Sequence, residues 1–305
     1  MTYSELARRF QTVEPGEQVR VSDRVSYLYL EHVVLTQTDT GLVAYNRERK
    51  GAIQIPAGVI AVIILGPGCS VTHDAMRTCA NSGCAVLFAG GGGIYAYSLA
   101  RPLTASSRWA EAQAACWADP EARTRAAVAL YRERFNALPQ ATSLAALRGI
   151  EGQMVKAEYA RLRKKYGVSF KRDHQSEDPV NAGLNIGNSI LYGLAASVCS
   201  SLSLNPALGI IHQGGASAFL FDLADVYKLD TTVPAAFASA RQEDPAAYVR
   251  RRVRKAIVDE GVLEQMMELT MHLFAGYLPR QHGADGTVVL YDGDGKAVPS
   301  FRNYG

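Results

Sequence analysis

Two aspartates and a histidine close together in sequence suggest chemistry. In the segment Ala216 to Val226, the apolar residues Ala216, Phe219, Leu220, Leu223 and Val226 mark a largely buried helix, which nevertheless carries Asp222 and Asp225. Residues three apart occupy neighbouring positions on one helix face. Two carboxylates brought together in low dielectric repel unless a proton or cation separates them, and a bound metal would resolve the conflict. His212 lies just upstream in Ile210-Ile211-His212-Gln213-Gly214-Gly215, where the paired glycines predict an exposed, tightly turning loop. A lone histidine is more often a satisfied core or surface residue than a ligand. Closeness to the aspartate pair favours the ligand reading here.

A third carboxylate belongs to another helix. Val155, Tyr159, Leu162 and Tyr166 form a stripe at helical spacing, and four places before Val155 stands Glu151, so an acid continues the buried face. Gly149 and Gly152 flank it, each costing about 1 kcal/mol against alanine within a helix, which predicts that another backbone approaches closely there. The plainer alternative is a glutamate paired with Arg148 or Lys156, and this helix alone leaves the two readings level. Glu, His and Asp without cysteine make a hard donor set that suits Mg²⁺ or Mn²⁺ better than structural zinc. The natural chemistry of such an ion is phosphoryl transfer. Basic clusters border the candidates, with Arg161, Arg163, Lys164 and Lys165 on one helix and Arg250, Arg251, Arg252, Arg254 and Lys255 further on. Such runs are usually solvated helix faces, but beside a metal they could meet a nucleic-acid backbone.

The elements that must carry these residues divide into two kinds. From Val25 to Tyr97 short β-branched and aromatic runs alternate with Gly, Asp and Asn punctuation, interrupted by one helix with Thr72 as N-cap and Gly83 as stop. The run Val59 to Leu65 predicts a buried strand, far short of the roughly 20 residues that span a bilayer. Segments 108–118, 120–137 and 143–166 read as helices, and the stretch from Leu184 to Val198 is notably apolar. The expected fold is α+β: a small β-sandwich-like domain at 1–99, a linker at 100–104, a larger all-α domain at 105–279 and a loose tail at 280–305 that forms a hairpin. Gly90 to Gly93 is followed by a strand rather than the helix a dinucleotide fold needs, so it reads as a hairpin turn. Asp292-Gly293-Asp294-Gly295 lacks the terminal Glu of a calcium loop and reads as turn chemistry.

The 305 residues, 48% hydrophobic and 20% charged, can bury a sizeable core and exceed the usual span of one domain. No secretory signal is evident, and the expected location is the cytosol, away from membranes. The five cysteines (Cys69, Cys79, Cys84, Cys116, Cys199) form an odd set without Cys-x-x-Cys, which argues against a disulfide framework and a zinc site. Of the net charge of +3, residues 1–100 contribute nothing, with 8 basic against 8 acidic residues. This surplus permits nucleic-acid binding without demonstrating it.

Taken together, Leu147-Arg148-Gly149-Ile150-Glu151-Gly152, Ile211-His212, and Phe221-Asp222-Leu223-Ala224-Asp225 followed by Lys228 and Val233-Pro234 resemble the CRISPR-associated adaptation integrase family, closest to its subtype I-E branch. The likeness extends to Asp23-Arg24-Val25-Ser26, Ile55-Pro56, Pro67-Gly68 and Leu191-Tyr192-Gly193. The resemblance implies a β-strand domain that dimerises and a helical catalytic domain with one divalent ion, Mg²⁺ or Mn²⁺, held by Glu151, His212 and Asp225. It puts Asp222 beside the metal as a further catalytic acid. Arg148, Tyr192, Lys228 and Arg250 match positions on a DNA-facing surface. The implied assembly has two homodimers flanking a dimer of a small ferredoxin-like partner protein, which together insert the 3′ hydroxyls of captured DNA into the CRISPR array. The same centre is expected to cleave branched or single-stranded DNA. Gly215, Phe221 and Tyr95 stand where lysine, tyrosine and arginine are expected, and His32 replaces an aromatic wedge. Two other readings stay open: a free-standing metal nuclease, and a non-catalytic helical scaffold whose acids pair with arginines.

Overall fold

The apolar run in the first third becomes the centre of a sheet. In the computed structural model the described residues are 24–39, 41–46, 51–90, 96–100, 107–135, 144–176 and 178–279, with the backbone of 289–291 and 297–299. Strands β1 (Val25–Leu30), β5 (Ile60–Leu65), β7 (Ala85–Ala89) and β8 (Ala96–Ala100) form one sheet in the order β1-β5-β7-β8, parallel except for the last pair. All of β5 is buried, as expected of a parallel strand covered on both faces. A second sheet, β4-β3-β2-β6, comprises β2 (Val33–Thr38), β3 (Gly41–Asn46), β4 (Gly51–Ile55) and β6 (Ser70–Val71). Ile63 and Leu65 of β5 pack with Leu35, Leu42 and Ile55 between the two sheets. Helix α1 (His73–Asn81) leads from β6 of the second sheet back to β7 of the first, capped as expected by the Thr72 hydroxyl, which accepts from Ala75 N–H, and ended by Gly83 at φ 69°.

The rest of the chain is helical: α2 (Arg108–Ala118), α3 (Pro120–Phe135), α4 (Leu144–Tyr166), α5 (Pro179–Ser201), α6 (Ala218–Tyr227), α7 (Thr232–Ser239), α8 (Pro245–Asp259) and α9 (Val262–Phe274). Helix α5 is the axis. Asp178 caps it by accepting from the N–H groups of Val180 and Asn181, Pro179 opens it, and its residues are buried nearly all round. Small residues let neighbours close on both sides. A Cβ on Gly187 would lie 2.8 Å from Thr232 Cβ, and one on Gly193 would touch Ile64 and Leu87 at 3.4 and 3.5 Å. One apolar cluster therefore runs from Tyr27, Val62 and Leu87 through Leu191, Leu194 and Val198 into the helices, and Ser197 Oγ donates to the Ala61 carbonyl at 3.2 Å.

The expectation for Gly149 and Gly152 is corrected. Both are exposed, and among the described residues a Cβ on either would find no atom within 4 Å, so no described backbone approaches there. That face of α4 points to solvent, and the close approaches belong to α5 instead. Strand β8 pairs antiparallel with β7 after the glycine run, most of which lies outside the described residues, and Ala100 of the expected linker is the last residue of β8. In the tail, β9 (Val289–Tyr291) and β10 (Ala297–Pro299) pair antiparallel, while Asp292 to Gly295 lie outside the described residues. The five cysteines are free, and all except Cys69 are fully buried. Among the described residues no helix is long and apolar enough to cross a membrane.

These glycines predict opposite responses to alanine. Gly187→Ala should cost about 1–3 kcal/mol through overpacking against Thr232, whereas Gly152→Ala should gain up to about 1 kcal/mol from helix propensity. Urea unfolding of the two variants checks this, and shifts of the same sign would contradict it.

Candidate metal centre

The centre is assembled around a turn that precedes α6. Buried Gln113 of α2 holds the start of that turn, its side-chain amide accepting from Asn205 N–H and donating to the carbonyls of Asn205 and Leu208. At Gly209 a Cβ would fall 2.2 Å from the His212 carbonyl oxygen, so the turn can close only over glycine. The turn then meets Asp222, which is 1% exposed. Its Oδ2 accepts from Ile210 N–H at 2.5 Å and Ile211 N–H at 3.1 Å, and its Oδ1 accepts from His212 N–H at 2.9 Å. Nδ1 of His212 lies 2.7 Å from the same Oδ1. A buried carboxylate accepts, so Nδ1 carries the proton and Nε2 presents its lone pair toward Asp225 Oδ2, 3.9 Å away.

The two aspartates thus do not confront each other as the sequence reading expected. The Asp222 carboxylate is solvated by N–H donors and serves to fix the ring of His212. Asp225, one turn on, is flanked by cations: Lys228 on Oδ1, and the Arg134 guanidinium 3.8 Å from Oδ2. Arg134 also reaches Glu151 Oε1 at 2.5 Å, and the Tyr131 hydroxyl donates to Glu151 Oε2 at 2.9 Å. Glu151 is therefore paired, but with α3 rather than with Arg148 or Lys156. Tyr131 and Arg134 are the residues that sequence reasoning missed. The available signal was their spacing of three on the same helix face as the buried Ala127 and Leu130.

Burial, then the nearby Glu151 carboxylate, pushes the Tyr131 phenol up, so it remains a donor at neutral pH. Burial works against the Lys228 ammonium, yet Asp225 and Tyr192 outweigh it and its pKa is raised. Its Nζ donates to Tyr192 at 2.8 Å. Arg148 donates to the Ile211 carbonyl at 2.6 Å and so props the turn from α4 while remaining exposed at the mouth of the site. Of the four expected DNA contacts, Arg148, Tyr192 and Lys228 stand at this centre. Arg250 does not: it lies over the Tyr29 ring at 5.6 Å, and its carbonyl accepts from Tyr27. The neighbouring Arg251, Arg252, Arg254 and Lys255 are exposed along α8.

Glu151, His212, Asp222 and Asp225 line one pocket with Tyr131 and Arg134. Among the described residues no three acidic, His or Cys side chains are drawn together at coordination distance. The donors nevertheless suit a divalent cation. Two carboxylates and a tautomer-fixed imidazole converge, and a positive group already bridges the carboxylates.

A sequence profile described as CRISPR associated protein Cas1 matches residues 27–137 and 124–261. The chain belongs to the Cas1 family. A Thermus thermophilus relative named CRISPR-associated endonuclease Cas1 2 is 39% identical over 269 residues, covering 85% of this chain and 82% of its own. The Escherichia coli CRISPR-associated endonuclease Cas1 is 31% identical over 270 residues, covering 86% and 88%. In three dimensions, this Cas1-family chain matches a TtCas1–DNA complex with a TM-score of 0.78 at 37% identity, over 91% of this chain and all of the other. It shares its fold, at 15% identity and a TM-score of 0.64, with a casposase bound to an integration product, over 82% and 91% of the two chains.

The His212–Asp222 pair carries a pH signature. The hydrogen bond to Asp222 raises the imidazole pKa, against partial burial that lowers it. A raised folded-state pKa stabilises the fold fully below the unfolded value of about 6.5 and loses that contribution as pH rises through the folded value. The melting-temperature gap between metal-free wild type and His212→Gln should narrow from about pH 6 to about pH 9, and a widening gap would contradict the assignment.

Proposed function

We propose that this chain is the DNA integrase subunit of CRISPR adaptation. In this reading it joins the 3′ hydroxyls of a captured DNA fragment to phosphodiesters at the ends of a repeat, in the cytosol and in the manner of the subtype I-E branch. The observation that carries it is the convergence of Glu151, His212 and Asp225, from α4, a turn and α6, on one pocket of a Cas1-family fold. Support for DNA as the substrate comes from the DNA-bound Cas1 neighbour and the exposed cationic face of α8.

Glu151, Nε2 of His212 and Asp225 would hold the ion, Mg²⁺ or Mn²⁺. When bound, it supplies Lewis acidity at a phosphodiester and stabilises charge on the attacking and leaving oxygens. The chain's own residues do the positioning. Asp222 fixes the His212 ring, Tyr131 fixes Glu151, and Lys228 holds one oxygen of Asp225 from the side of Tyr192. The 3′ oxygen attacks phosphorus in line as the opposite P–O bond breaks, so the number of phosphodiesters is conserved and no covalent protein intermediate forms. Arg148 at the mouth of the pocket, together with Tyr192 and Lys228, is assigned to the DNA backbone. The β-rich half would mediate a homodimer, and two such dimers would flank a dimer of the small ferredoxin-like partner.

The relatives' name, endonuclease, favours a second reading in which water replaces the 3′ hydroxyl and the product is cleaved DNA. The test is Mn²⁺-dependent joining of a 3′-hydroxyl fragment to a supercoiled plasmid carrying a CRISPR repeat, with and without the partner protein. Wild type should give joined product, and His212→Ala should lower the rate by about 100-fold or more. Nicking without joining would support the nuclease. Inertness of the wild type, with no Mn²⁺ site sensitive to Glu151→Ala, would leave a DNA-binding scaffold.

A further inference from the structure

One of the groups lining the pocket is a guanidinium that lies between two of its carboxylates. Arg134 is held in place by its surroundings: its side chain is 8% exposed, and its plane lies over Phe135 with 5.2 Å to the ring centroid. Its Nη1 stands 2.5 Å from Glu151 and 3.8 Å from Asp225, bridging two carboxylates that come from different helices. Among the described residues its buried Nε has no hydrogen-bond partner, so Nη1 is the nitrogen that meets the two acids.

We propose that Arg134 is an internal counter-ion of the metal-free centre, which must withdraw from Glu151 and Asp225 before a divalent cation can bind there. This rests on the metal reading above. The contacts distinguish Arg134 from Lys228, the other cation on Asp225. Lys228 holds Oδ1 of Asp225 and is itself tied to Tyr192, so it leaves Oδ2 free. Arg134 faces that same Oδ2, which His212 Nε2 also faces, together with an oxygen of Glu151. It therefore stands on the side where the three ligands converge.

Charge points the same way. Glu151 and Asp225 contact the cations Arg134 and Lys228, and Asp222 lies behind His212, so with neutral His212 these inner groups carry one net negative charge, Arg148 standing exposed at the mouth. A divalent ion added with both cations in place would leave them positive, and withdrawal of Arg134 restores neutrality. In a partly buried site that difference favours exchange over coexistence. Glu151 does not need Arg134 to stay in place, because Tyr131 holds its other oxygen.

The test is Mn²⁺ titration of the full-length, metal-free protein by calorimetry, comparing wild type with Arg134→Ala and Arg134→Gln, each also combined with Glu151→Ala. The Arg134 variants should bind Mn²⁺ about tenfold tighter or more, the range expected when a competing internal interaction is removed, and should melt at lower temperature without metal. Equal or weaker binding that still depends on Glu151 would overturn the proposal and leave the metal centre standing. No Mn²⁺ binding in any form, or binding indifferent to Glu151→Ala, would remove the metal centre and the proposal with it. Should both variants fail to fold, the wild type answers alone. The Nε–H resonance of Arg134 in a ¹⁵N spectrum should move on Mg²⁺ addition, and an unmoved resonance at saturating Mg²⁺ would refute withdrawal.

Discussion

The bond set that the rest of the centre depends on is the buried carboxylate of Asp222 against three consecutive backbone N–H groups and the ring of His212. Left without these donors, a charge at that depth would cost several kcal/mol, and left without the carboxylate, the N–H groups of a buried turn would go unpaired. Turn and helix α6 therefore require each other. Because the same oxygen that accepts from His212 N–H also faces Nδ1, forming the turn fixes the tautomer and aims Nε2 at Asp225.

Around this pair, each further element supplies one constraint from a different direction. Helix α2 clamps the start of the turn through Gln113, α4 props it with Arg148, and α3 brings Tyr131 and Arg134 onto Glu151. Helix α5, closed upon by α7 and by the first sheet at its glycines, holds Tyr192 where it receives Lys228. The β-rich part is not a separate bead beside this assembly, since Ile64 and Leu87 pack directly on α5. Without a metal the pocket is kept together by ion pairs rather than by repulsion awaiting relief, and Arg134 is the group through which that state gives way to a loaded one.

Much of this was legible in the residues. Thr72 and Gly83 bound their helix as capping chemistry requires, the run from Ile60 to Leu65 forms a buried strand, and α4 and α6 carry their acids on the faces that periodicity assigns. What was not legible depended on contacts between distant segments. Periodicity puts Glu151 on an inner face but cannot say that Arg134, seventeen positions earlier, will answer it. The i and i+3 aspartates look alike in sequence, yet one meets a turn's N–H groups and the other two cations. Glycine within a helix signals either close packing or tolerance, and only the neighbours decide between them. Gly187 has Thr232 against it, and Gly152 has open space.

The central claim is that Glu151, His212 and Asp225 hold one divalent cation. Anomalous diffraction from a Mn²⁺-loaded crystal tests it most directly. The account predicts a single strong peak in the pocket, about 2.1 Å from an oxygen of Glu151, an oxygen of Asp225 and Nε2 of His212. A pocket still bridged by Arg134 at saturating Mn²⁺, with the metal absent or bound elsewhere, would contradict it.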